Sequence, residues 1–162
     1  MSKNVVTTGI AIAVLLLGII LVARGRGNQS EPAAASGKLS AAEKTYDFGK
    51  ISMAAGTVRH SFAVKNESGA AVKIKKIFTS CMCTQATLKL GEKTVGPYGM
   101  PGHGLAPSVN EEIAAGGEAL VEVVFDPAAH GPAGVGPISR VIILENSAGQ
   151  PVEVSFSANV TP

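Results

Sequence analysis

Through most of the chain after residue 42, apolar and polar positions alternate with a period of two, the spacing of a half-buried β-strand. Thr57–Lys65 puts Val58, His60, Phe62 and Val64 on one face, and Asn66–Gly69 follows as a turn. Ala71–Phe78 is a second strand and runs into the triplet Cys81-Met82-Cys83. Glu118–Phe125 is a third, stopped by Asp126-Pro127. Ile138–Leu144 and Val152–Val160 are two more, joined through Glu145–Gln150 as a hairpin. No long amphipathic helix interrupts them. Short strands with Gly/Asn turns predict an antiparallel β-sandwich over residues 43–162.

The N-terminal pattern is different. Val5–Ala23 carries no charge over 19 residues. As a helix it would measure about 28 Å, close to the hydrocarbon thickness of a bilayer. Residues 1–24 are therefore expected to form a transmembrane anchor. A signal segment cut near Ala33-Ala34-Ala35 is the alternative. Residues 25–42, rich in Gly, Ser, Ala and Pro, read as a flexible linker. Lys3 before the apolar run and Arg24 and Arg26 after it leave the charge rule for orientation nearly tied. The short N-terminal tail and the absence of cysteines able to crosslink distant parts favour a domain outside the cytoplasm.

Two segments depart from the strand pattern. Leu90–Glu112 and Pro127–Pro137 are Gly/Pro-rich and read as long loops, each with one of the three histidines, His103 and His130. Net charge is +2, and the only basic cluster, Lys73, Lys75 and Lys76, lacks interleaved aromatics. That excludes a nucleic-acid surface of the usual kind. No Ser-His-Asp pattern, phosphate loop or dinucleotide fingerprint is present, so no hydrolase or nucleotide enzyme is expected. Asp126 and Asp47 read as turn residues, and His60 as a hydrogen-bonded, partly buried histidine.

The two cysteines are the only ones in the 162 residues, and one residue separates them. A disulfide closing so small a loop adds little chain-entropy stabilisation. On an extended strand both sulfurs would share a face, with Cα atoms about 6.6 Å apart. The pair therefore suggests chemistry. Thiolate, thioether and imidazole together select copper(I) or zinc. Cys81 and Cys83 are the candidate ligands, with Met100, His103 and His130 from the two loops. Pro101-Gly102 predicts a type II turn between Met100 and His103. Thiol–disulfide exchange is the alternative, although the spacing is shorter than Cys-x-x-Cys and no helix start is in view.

Several of these residues also carry a family resemblance. Tyr46-Asp47-Phe48-Gly49-Lys50-Ile51, His60-Ser61-Phe62 with Lys65-Asn66, and Thr79-Ser80-Cys81-Met82-Cys83-Thr84 resemble the bacterial domain of unknown function family 1573. Gly116-Gly117-Glu118, Val124-Phe125-Asp126 and Ala158-Asn159-Val160 fit the same pattern, so the resemblance covers residues 43–160. It implies an immunoglobulin-like sandwich, exported or membrane-tethered, and no established activity. The chain departs from the family at Met82, where Gly is usual, and at Gly96–Gly104, which reads as an insertion. Taken together, the sequence predicts a single-pass, membrane-anchored, extracytoplasmic β-sandwich. Its role is binding a protein partner or a soft metal, not catalysis.

Overall fold

The computed structural model describes residues 38–103 and 108–162. The expected anchor, residues 1–24, and most of the linker lie outside these. Among the described residues no helix is long and apolar enough to cross a membrane.

Among the described residues, ten strands form two five-stranded sheets. The first has the order β1 (Leu39–Ala41), β3 (Val58–Asn66), β8 (Glu118–Phe125), β5 (Thr84–Leu90), β6 (Lys93–Tyr98). The second has the order β2 (Thr45–Ser52), β10 (Val152–Thr161), β9 (Gly136–Asn146), β4 (Val72–Thr79), β7 (Glu111–Ile113). Period-two alternation survives as burial: Phe62 and Val64 on β3, Val121 and Val123 on β8, and Val154 and Phe156 on β10 are buried between the sheets. Phe156 stacks obliquely on Phe125 across the core, their ring centroids 5.2 Å apart. The described residues form an all-β sandwich.

Four departures from the sequence reading have physical reasons. The sandwich is not wholly antiparallel, because β2 pairs in parallel with β10. A parallel pair needs a long crossover, and here the intervening domain supplies it. Leu39–Ala41 forms β1 within the segment read as linker, pairing with Val64–Asn66. Three residues are too few to show periodicity. Leu90–Glu112 is not one long loop: it holds β6, paired with β5, and the start of β7, paired with β4. Gly96 and Pro97 masked β6, yet proline is tolerated there because β6 is an edge strand. Within Pro127–Pro137, Gly131–Gly134 winds into a 3₁₀ turn and Gly136 already starts β9.

Two buried asparagines fasten the turns. Asn66 is fully buried; its Nδ2 donates to the carbonyls of Ala70, Ile113 and Ala114, and its Oδ1 accepts from Ser68 N and Oγ. Asn146 does the same on a smaller scale, donating to Gln150 O and accepting from Ala148 N. At the Asn66 end of β3 lies Leu39, its register partner. At the opposite end Val58 faces Phe125, which faces Thr84. The cysteine triplet immediately precedes Thr84.

Candidate thiol and metal site

The triplet occupies the turn between β4 and β5, where the chain leaves one sheet for the other. Thr84 N donates to Cys81 O (3.2 Å), closing a four-residue turn. The buried Thr79 hydroxyl is shared between the carbonyls of Cys81 and Thr84, 3.0 Å from each. Ser80 locks the turn to β9: its N donates to Val141 O, and its Oγ accepts from Val141 N, both at 2.9 Å. The turn draws the Cα atoms of Cys81 and Cys83 to 5.3 Å, closer than the extended spacing expected from sequence, and the two cysteines pair as a disulfide. The sulfurs do share a side, but a turn rather than a strand puts them there.

Their surroundings differ. Cys83 is buried (3% exposed), while Cys81 is half-buried. Arg140 Nε, from β9, donates to Cys83 Sγ at 3.2 Å, and Arg140 Nη1 is held by Ser139 O (2.8 Å). His130 Nε2 lies 3.2 Å from Cys81 Sγ. Cys83 N donates to Cys81 Sγ at 3.4 Å. Cys83 Sγ also lies 3.6 Å from Thr84 Oγ1. Gly134 leaves His130 room: a Cβ there would come within 3.3 Å of both His130 Cβ and Met53 Cε. Met82 points away, 54% exposed, and borders a shallow cavity of about 210 Å³ that Cys83, Thr57 and Val124 also line.

Of the five predicted ligands, the fold brings three together. The donor atoms of Cys81, Cys83 and His130 all lie within 4.8 Å of one another. His103 lies outside that group and is exposed. The predicted turn is there, with His103 N donating to Met100 O (3.3 Å) and Gly102 at φ +86°. Met100 is half-buried, and its loop starts beside the cysteine turn, where Thr79 N donates to Gly99 O. Arg140 and Thr79 did not emerge from sequence reasoning. The one available signal was Arg140 as the only charge in the run Ile138–Leu144.

Asp47, read as a turn residue, instead lies within β2, where its Oδ1 accepts from Gly49 N and Ser157 Oγ, both at 3.0 Å; Asp126 and His60 behave as read. Asp126 Oδ1 caps its own turn through Ala128 N (2.9 Å). His60 donates to Glu43 at 2.7 Å and stacks on Tyr46 with centroids 3.6 Å apart.

Residues 39–97 match the family described as protein of unknown function (DUF1573). This bears out the resemblance carried by the Tyr46–Ile51 and Thr79–Thr84 motifs. The matched segment includes β1 to β5, β6 up to Pro97, and the whole cysteine turn. No curated protein matches the chain. Among solved structures, a protein of unknown function from Porphyromonas gingivalis W83 is similar over 82% of this chain and 51% of its own, with 16% identity and a TM-score of 0.58. The VesB protease of Vibrio cholerae is similar over 75% of this chain and 31% of its own, with 14% identity and a TM-score of 0.52. The chain thus spans about half of the first and a third of the second, and at these identities the likeness is one of fold alone.

Proposed function

We propose that this DUF1573 chain is a tethered, extracytoplasmic binding module of immunoglobulin-like build, whose ligand in the dithiol state is a soft metal ion, copper(I) before zinc. The observation that carries the reading is the convergence of Cys81 Sγ, Cys83 Sγ and His130 Nε2 within 4.8 Å of one another. Two donors on one zinc-sized ion, each bound at about 2.0–2.3 Å, are separated by at most about 4.6 Å. Small side-chain adjustments therefore suffice. Two thiolates and one imidazole are a soft set, and three ligands satisfy copper(I) without a fourth. Charge argues the same way. Two thiolates around a monovalent ion leave one negative charge, and the Arg140 guanidinium at Cys83 stands where it would offset it. The uncharged run Val5–Ala23 supports the tether.

The test is titration of the reduced full-length chain in detergent with copper(I) against a chromophoric chelator, beside the Cys81→Ser/Cys83→Ser variant. One equivalent bound by the parent and none by the variant is the expected result. Equal binding by both would end the reading. Protease digestion of intact cells tests the location: the domain should be cut together with an extracytoplasmic control.

A further inference from the structure

We propose that Cys81–Cys83 is a redox-active disulfide of fixed polarity, in which an external thiolate attacks Cys81 and the Cys83 sulfur leaves toward Arg140. The inference shares its sulfurs with the metal site but needs no metal.

Access sets the direction. Cys83 is buried, whereas Cys81 is only half-buried, so an incoming nucleophile reaches Cys81 first. Charge points the same way. Exchange is faster when the departing sulfur is better stabilised as a thiolate. Arg140 Nε already donates to Cys83 Sγ at 3.2 Å, and its charge is permanent. The guanidinium is itself fixed by Ser139 O, and the neighbouring Val141 is clamped to Ser80. It therefore waits at the sulfur before the S–S bond breaks, with little reorganisation left to do. A disulfide across one intervening residue also does little for the fold, which leaves it free to open.

The step balances without further partners. An external thiolate forms a bond to Cys81 Sγ; the Cys81–Cys83 bond breaks, and its electron pair leaves on Cys83 as a thiolate. A second external thiolate then attacks the external sulfur of the mixed disulfide, releasing an external disulfide and the Cys81 thiolate. Two external thiols are oxidised and the protein disulfide is reduced, a transfer of two electrons. The dithiol so produced is the form that takes metal, so exchange gates the site.

The experiment uses the oxidised full-length chain in detergent with a metal chelator present. Glutathione is added, the reaction is quenched with excess N-ethylmaleimide, and the adducts are located by fragmentation mass spectrometry. Glutathione on Cys81 and maleimide on Cys83 are expected. Glutathione on Cys83, an even split, or no exchange overturns the proposal. Arg140→Met should slow the first step about tenfold, the scale of one charge-assisted hydrogen bond, with Arg140→Lys recovering most of it. An unchanged rate in a folded Arg140→Met chain also overturns it. If that variant does not fold, adduct mapping on the unaltered chain still decides. Loss of exchange with copper(I) binding intact would sink this inference alone; the converse would sink the metal reading alone.

Discussion

His130 Nε2 lies 3.2 Å from Cys81 Sγ although 49 positions separate the two residues. The contact depends on both strand ends: β4 delivers the cysteine turn, and β8 delivers the Asp126–Gly134 bend, to the same end of the sandwich. Asp126 N donates to Cys83 O at 2.9 Å and ties the two together. His130→Ala should therefore weaken copper(I) affinity by at least about tenfold, since even indirect supports of a metal site cost that much. The thermal midpoint should barely move, because the side chain is exposed. Chelator competition and a melting curve on the same sample check both halves.

Reducing the disulfide should cost the fold little. The chain-entropy relation gives less than about 2 kcal/mol for a loop this short. Urea unfolding with and without a phosphine reductant measures it, and a loss well above that figure would make the pair a structural staple after all.

Thr79→Val removes one hydroxyl that serves two turn carbonyls, in a shape of nearly equal volume. Cys81 O keeps its bond from Thr84 N, but both carbonyls lose the Thr79 donor, which should destabilise the domain by about 1–3 kcal/mol. It should also loosen the turn, so amide exchange at Cys83 and Thr84 is expected to quicken.

Asn66→Ala should be more damaging, by about 3 kcal/mol, since at a fully buried position it takes one donor from each of three carbonyls, of which Ala70 O keeps Ser68 Oγ and Ala114 O keeps Gly117 N, and removes the acceptor of Ser68 N. Asn146→Ala, with one carbonyl and one N–H affected, should cost less. Parallel urea titrations rank the two.

Stability should fall in acid partly through Glu122. The Lys89 hydrogen bond at 2.7 Å, helped by the charges of Lys89 and Arg59, holds its carboxyl below the ordinary glutamate range against the opposing effect of burial. A carboxyl depressed in the folded state stabilises above its unfolded value of about 4.3 and loses that contribution as pH drops through the folded value. Melting temperature should hold from neutral pH to about 5 and decline below. Glu122→Gln should flatten the decline.

Strand existence was legible because large apolar residues recur at every second position, Phe62 and Val64 on one strand and Val121 and Val123 on another, and a sheet with one buried face requires that period. Glu118–Phe125 was read with the limits that the fold shows. β6 was hidden because an edge strand can hold Pro97, and β1 because three residues carry no period. At the site, Cys81 and Cys83 announced themselves by number and spacing, and His130 by its odd loop. Arg140 did not: what brings it to Cys83 is the pairing of β9 with β4, a long-range register that no local pattern encodes. His103 shows the reverse, a correctly read turn outside the one His/Cys/Asp/Glu cluster among the described residues. Local turn chemistry fixes a shape without fixing its neighbours.

The described chain enters the sandwich at Leu39, beside Asn66, and the sulfurs sit past Val58 at the other end of β3. Eight strand steps separate those two poles, about 26 Å at roughly 3.3 Å per step. The point of entry and the sulfurs thus lie at opposite poles of the sandwich, so whatever meets the thiols approaches the end farthest from Leu39.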